Sequence, residues 1–395
     1  MPRKLTATRS ISADEGPAWP HGYSVWLPDR ISSIRRAGYT LVDLTRRGLI
    51  DTHAVIKFRE ETLLSDFAWR VVWADTDEQS DAESLATRLR NAAGLIVFVH
   101  GWAGSGDIWE DLPSLVIRAN PDLVALVPDV NGFGGSPFSE NVPPIDRCNP
   151  PANMQAIERW LNLLNLRPSD KDSAIRPVIF VGHSMGGASL FFANSTQWHK
   201  GELGRIALAP ALLMNDRQRQ LFYRTIGTGI RLSGWAAGLD RLTERLIAPR
   251  FIERAAGAGS SLRVRAQHHR VFDVTPEGVI AQTFAAMGRL DATFQQQDWP
   301  HFIAYLADRD ALVGLRQTRE LLERIHLKDS QIREVEGGHY FFSIGAIEAH
   351  AGNRQQVLKD ILALHQSMHN ALNKPTAVRT KKPKSKTPRQ KKRPM

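Results

Sequence analysis

Cysteine is almost missing from this chain: Cys148 stands alone among 395 residues, so no disulfide can close within it. A single thiol fits a reducing compartment, and a cytoplasmic location is the expectation. Also missing is any apolar stretch of the roughly 20 residues that a membrane-spanning helix needs. The first ten residues, Met1 to Ser10, are basic and rich in hydroxyls but lack the apolar core of a secretory signal. Acidic residues are absent from 374–395, where ten lysines and arginines fall; removing those ten from the 51 basic residues leaves 41, against 41 acidic ones. The whole net charge of +10 therefore sits in that tail, and the rest of the chain is formally neutral. A Lys/Pro/Thr-rich tail has nothing to bury and is expected to be disordered. It is either a plain solvated tail or a weak contact for polyanions or anionic lipid. Metal-ligand groupings are lacking too. His268-His269 and the pair His365/His369 have no carboxylate or thiolate companions at ligand spacing, so no metal and no cofactor are expected.

What is present is a recurring alternation of apolar runs and helical patterns. Val55–Phe58 and Ala68–Trp73 read as an antiparallel pair at a sheet edge. Leu95–Val99, Leu123–Val127, Val178–Val181, Ile206–Ala209, Phe302–Leu306 and Gln331–Val335 follow as further strands. Runs that are continuously apolar imply strands covered on both faces. Helical patterns over Asp107–Ala119, Ala152–Leu166, Met185–Asn194, Gln317–Ile325 and Asn353–Leu372 supply the covering layers. The expected fold is α/β, with a mostly parallel central sheet flanked by helices. The alternation fails between 211 and 299, where Leu239, Leu242 and Leu246 share a helical face and Leu221, Phe222, Ile230, Leu232 and Trp235 add apolar surface. That stretch reads as a helical cap inserted after the sixth strand. The expected organisation is a flexible end over 1–20, a leader packed on the core over 21–52, a core over 53–210 and 300–373, the cap over 211–299, and the tail.

One motif carries chemistry. Gly182-His183-Ser184-Met185-Gly186-Gly187 follows the run Val178–Val181 directly and opens a helix. A serine between a buried strand and a helix sits on a strained turn with its hydroxyl pushed out of the sheet. Side chains at Gly182 or Gly186 would collide with the neighbouring elements. Serine needs a base in reach, itself oriented by an acid. His339, in Glu336-Gly337-Gly338-His339 after the last strand, is the base, carried on a glycine-freed loop. The acid lies just past the strand ending near Ala307, where Asp308 and Asp310 both qualify; Asp310 is preferred, although it also reads as a helix N-cap. Backbone donors for an oxyanion come from Met185, at the start of a helix, and from Trp102 in the loop His100-Gly101-Trp102-Ala103-Gly104-Ser105, where Gly101 permits close approach.

In these features the chain resembles the α/β-hydrolase superfamily, of the serine-nucleophile, esterase- and lipase-like kind, over roughly 53–210 and 300–370. The agreement runs in order through His100-Gly101 with Gly104-Ser105 and Trp109; Pro128-Asp129 with Gly132, Gly134 and Ser136; Gly182–Gly187; Asp310 with Val313; and Gly338-His339. The resemblance implies an α/β-hydrolase fold with Ser184 as nucleophile, His339 as base, Asp310 as acid and an oxyanion hole from Met185 and Trp102. One departure is visible: Asn131 and Phe133 stand where the second loop often carries arginine and histidine. Serine at the elbow separates this chain from relatives that use aspartate or cysteine there. The expected reaction is cleavage of a small hydrophobic carboxylic ester through an acyl-enzyme. Acyl transfer or thioester cleavage would use the same residues, and product partition between water and added alcohols distinguishes transfer from hydrolysis. A binding protein on a hydrolase scaffold is a further alternative, opposed by the retention of all three residues.

Overall fold

The computed structural model describes residues 9–12, 23–27, 49–58, 66–74, 82–166, 175–233, 260–290, 299–344 and 348–373. Ten strands among them form one sheet: β1 (Arg9–Ser12), β2 (Tyr23–Leu27), β3 (Leu49–Phe58), β4 (Asp66–Ala74), β5 (Gly94–Val99), β6 (Leu123–Pro128), β7 (Val178–His183), β8 (Leu203–Leu208), β9 (Phe302–Ala307) and β10 (Ile332–Val335). Their order is β1-β2-β3-β4-β6-β5-β7-β8-β9-β10. From β6 to β10 every pairing is parallel, while β1 to β4 add to β6 in antiparallel fashion. The sheet is thus an α/β sheet that is parallel through its centre.

The amino-terminal edge departs from the sequence reading. The pair β3–β4 is not the edge, because β2 and β1 continue the sheet beyond it, inside segments read as a leader and a flexible end. These outer strands are only four and five residues long, and neither carries the strand-length apolar run that announces a doubly covered strand. Most of 211–299 that is described is helical: α5 (Arg217–Ser233), α6 (Leu262–Val274) and α7 (Glu277–Met287). Trp235, Leu239, Leu242 and Leu246, and the basic tail, lie outside the described residues.

The period-two alternation of each central strand divides the core into two layers. Leu95, Val97, Val99, Val178 and Phe180 face one side, with α3 (Pro150–Leu163) and α8 (Leu315–Arg324) packed there through residues such as Met154, Ile157, Trp160 and Leu322. Ile96, Phe98, Ile179 and Val181 face the other, against Leu112, Val116 and Ile117 of α2 (Leu112–Ala119) and Val357, Ile361 and Met368 of α9 (Glu348–Leu372). Every residue of β7 is buried. Each such Val, Ile or Phe contributes roughly 1.5–3 kcal/mol of burial, which makes β7 a rigid mount for the serine turn at its end. Remaining helices are α1 (Ala82–Asn91) and the short α4 (Met185–Ser189). Because β5, β7, β9 and β10 are parallel, His100, Ser184, Asp310 and His339 all leave the sheet at its carboxyl edge, where α/β sheets bind ligands. Among the described residues no helix is long and apolar enough to cross a membrane.

Candidate active site

At the end of β7, Ser184 has φ 54° and ψ −118°, a conformation that costs an L-residue about 1–3 kcal/mol. Three backbone hydrogen bonds hold it: Ser184 N donates to Leu208 O, and Ser184 O accepts from Ala188 N and Ala211 N, each at 2.9 Å. The glycines around it are steric requirements. A Cβ on Gly182 would lie 2.5 Å from Gly186 O, and one on Gly186 would lie 2.4 Å from both Val99 O and His100 O. Backbone oxygens cannot rotate away. Gly186→Ala is therefore expected to destabilise the fold by about 3 kcal/mol, read as a lowered denaturation midpoint; an unchanged midpoint would contradict the close approach of β5 and α4.

The structure brings Asp310 and His339 together. His339 Nδ1 donates to Asp310 Oδ2 at 2.7 Å, and both side chains are buried. The other carboxylate oxygen, Asp310 Oδ1, accepts from the amides of Leu312 and Val313, each at 2.9 Å. The cap role read from sequence needs correction: α8 starts at Leu315 with Gly314 at its N-cap, so Asp310 closes the turn ahead of the helix. Asp308 takes a different place. Its half-exposed carboxylate accepts from Gly337 N at 2.7 Å and shapes the loop before His339 from behind.

The imidazole of His339 stands 4.6 Å, centroid to centroid, from that of His183, the residue before Ser184. His183 Nε2 donates to His339 O at 3.0 Å, tying the histidine loop to the serine turn. Across from them, the 100–105 loop presses on Ser184: a Cβ on Gly101 would lie 2.8 Å from Ser184 Cβ. This brings the Gly101–Trp102 peptide against the serine turn. Met185 is the first residue of α4, so its N–H has no acceptor within that helix. His100 fixes the loop by donating from Nδ1 to Gly101 O at 2.8 Å and accepting at Nε2 from Val130 N at 2.9 Å.

The second loop of the resemblance is a staple. Asp129 accepts from Gly106 N at 2.7 Å and Gly135 N at 2.8 Å, and Ser136 Oγ accepts from Ala68 N at 2.8 Å. The two departures also find places. Asn131, at φ 58°, donates through Nδ2 to Cys148 O at 3.2 Å and touches Met185 Sδ at 3.1 Å. Phe133 is buried edge-on to Trp102, 6.5 Å between centroids. Trp102 also packs on Phe284 and Phe272, and its Nε1 donates to Thr283 Oγ1 at 3.0 Å, so α6 and α7 lie over the loop.

Three buried histidines of this region are neutral, and two of them, His183 and His268, face His339. Burial lowers His100 and His268 to about 4 and His183 well below its ordinary value of 6.5. Their hydrogen bonds agree, since each donates to a carbonyl from a single ring nitrogen. The unfolded chain therefore binds more protons than the folded one between about pH 4 and 6.5, and stability rises with pH across that window. It is complete above 6.5 and lost as pH falls towards 4, on the order of 3 kcal/mol each for His100 and His268. Thermal midpoints should fall steadily from pH 6.5 to 4.5; a flat profile would mean these side chains ionise in place.

Sequence reasoning missed several buried polar residues that brace the segments on either side of the site's loops. Glu110, at φ 52° and buried, accepts from Ser261 Oγ at 2.9 Å and from Ile344 N at 2.6 Å. Arg354 binds Phe342 O, Trp109 O and Asp111. Isolated polar residues on helices and turns carry no spacing signal that could have singled them out. His268 was in view only as half of the His268-His269 pair. Both nitrogens of His268 are engaged by protein groups, Ala103 O and the Tyr340 hydroxyl.

A search of curated proteins finds no match. Solved structures with similar chains include a hydrolase from Pseudomonas aeruginosa (14% identity, TM-score 0.47, covering 76% of this chain and 94% of that one). A thermophilic esterase from Thermogutta terrifontis is similar at 15% identity and TM-score 0.48, covering 77% of this chain and 95% of that one. An enol-lactonase from Burkholderia xenovorans is similar at 16% identity and TM-score 0.43, with coverage of 76% and 96%. The model of the alpha/beta hydrolase family matches residues 96–345, a span that holds the serine turn, both aspartates and the histidine loop. With well over half of its length matched, the chain belongs to the alpha/beta hydrolase family, and its sheet is the α/β-hydrolase fold.

Proposed function

We propose that this protein is a serine hydrolase that cleaves a carboxylic ester of a hydrophobic substrate through an acyl-enzyme. The observation that carries this reading is the 2.7 Å bond from His339 Nδ1 to Asp310 Oδ2 beside a serine held at φ 54°. With its proton on Nδ1, His339 presents a lone pair at Nε2 to accept the Ser184 proton. Ser184 Oγ attacks the ester carbonyl carbon, and the carbonyl electrons move onto oxygen, facing the amides of Met185 and Trp102. Collapse of that intermediate breaks the bond to the alkoxide, which takes the proton from His339 Nε2. Water, deprotonated by the same nitrogen, then attacks the acyl carbon and restores Ser184. Asp310 stabilises the imidazolium formed in each half-reaction. The neutral state of His183 and His268 keeps a second positive charge away from it.

Phe133, Phe272 and Phe284 around Trp102 make the side of the site beside the proposed oxyanion hole apolar and aromatic. This favours a hydrophobic acyl or alcohol group, with α5 to α7 acting as a cap. A fluorophosphonate probe, which reacts with an activated serine and needs little knowledge of the substrate, tests the reading by intact mass. One adduct on the wild-type chain is expected, followed by turnover in a panel of p-nitrophenyl esters of graded chain length. A folded wild-type chain that takes no adduct would refute the proposed nucleophile.

A further inference from the structure

Helix α6 reaches both halves of the site through one side chain. His268 Nδ1 lies 2.7 Å from Ala103 O; a carbonyl oxygen can only accept, so that nitrogen carries the proton. Its Nε2 is then a bare lone pair, and it faces the hydroxyl of Tyr340, which donates to it. Ala103 directly follows Trp102, whose amide is the proposed oxyanion donor. Tyr340 directly follows His339. One neutral imidazole thus bridges the peptide chains that hold two separate pieces of the chemistry.

We propose that His268 is a positioning residue, locking the Trp102 loop and the His339 loop into one geometry; this rests on the hydrolase reading above. Three features support it. The imidazole and the Tyr340 hydroxyl are buried, so water does not compete for the bonds that join them. The same helix holds the first loop again through Gln267 Nε2, which donates to Ser105 Oγ at 2.8 Å. Ala103 itself sits at φ 51°, a conformation that needs external support to persist. The bridge also requires a neutral imidazole. The titratable groups facing His268 are His339 and Tyr340 on the histidine loop, His183 and His100 on the core, and His269 on its own helix. Its burial, and to a lesser extent the neighbouring histidines, disfavour protonation.

Tyr340→Phe removes one oxygen and keeps the ring packed against His183. His268→Asn keeps an N–H donor near the Nδ1 position, for Ala103 O, and loses the acceptor for Tyr340. Both variants of the full chain, and the double variant, would be assayed for kcat and KM on p-nitrophenyl butyrate, for fluorophosphonate labelling rate and for thermal midpoint. Each single variant is expected to lower kcat and labelling rate on the order of 100-fold, with KM within about 3-fold. The double variant should be no slower than the slower single one, because both cut the same link. Full activity in folded Tyr340→Phe would overturn the proposal, as would losses that multiply in the double variant or that only follow the unfolded fraction. These outcomes differ from failure of the hydrolase reading, which would show as a wild-type chain that neither labels nor turns over.

Discussion

Ser184→Ala is expected to lower kcat/KM on an activated ester by on the order of 10⁵- to 10⁶-fold and to abolish the fluorophosphonate adduct, while leaving stability within about 0.5 kcal/mol of wild type. The separation of these effects follows from the structure. The Ser184 side chain makes no capping bond to α4, although it stands at the N-cap position. The strained turn is held by the backbone of residue 184 and by the fit of Gly182 and Gly186 against their neighbours, all of which alanine preserves. Only the oxygen of the proposed nucleophile is lost. Residual turnover above the rate in water would then measure what Met185, Trp102 and the binding surface contribute on their own. An adduct of unchanged mass and rate on the variant would move the nucleophile elsewhere.

Most of the sheet was legible because its strands are buried on both faces. Leu95–Val99 and Val178–Val181 are apolar at every position, and each splits alternately between the two layers of the core. That signal vanishes at the amino-terminal edge. Arg9–Ser12 and Tyr23–Leu27 pair through backbone hydrogen bonds at the outside of the sheet, and neither sequence is apolar along the whole length of a strand. The helix expected over Met185–Asn194 is shorter, α4 ending at Ser189 and a single tighter turn continuing to Phe192.

The site was legible where a motif reflects a backbone necessity. Gly182, Ser184 and Gly186 are readable together because the turn forbids side chains at the outer two positions. His339 is readable because glycines precede it at the end of the last strand. Asp310 was preferred to Asp308 from sequence, but what distinguishes them is the turn in which the Leu312 and Val313 amides hold one Asp310 oxygen while the other meets His339. His268 was harder still. Its two partners lie 165 and 72 residues away in the chain, so nothing local marks it as more than one of thirteen histidines.

The separation of those two aspartates sets up the second large effect. Asp310→Asn is expected to lower kcat on the order of 10⁴-fold with a denaturation midpoint close to wild type. The turn needs an acceptor at the Oδ1 position for Leu312 N and Val313 N, and asparagine can supply it with its carbonyl oxygen. That choice places the amide NH₂ where Oδ2 meets His339 Nδ1. Two donors then face each other, and His339 relieves the conflict by moving its proton to Nε2. The imidazole can no longer accept from Ser184, so the base is lost although the geometry is kept. Asp310→Ala should lose the same activity and in addition roughly 1 kcal/mol for each turn bond left without its acceptor. Asp308→Asn retains the acceptor for Gly337 N and lies off the imidazole, so its kcat should stay within about 3-fold of wild type. Kinetics on the three variants with one p-nitrophenyl ester decides the assignment: a large loss in Asp308→Asn with little in Asp310→Asn would transfer the acid role to Asp308.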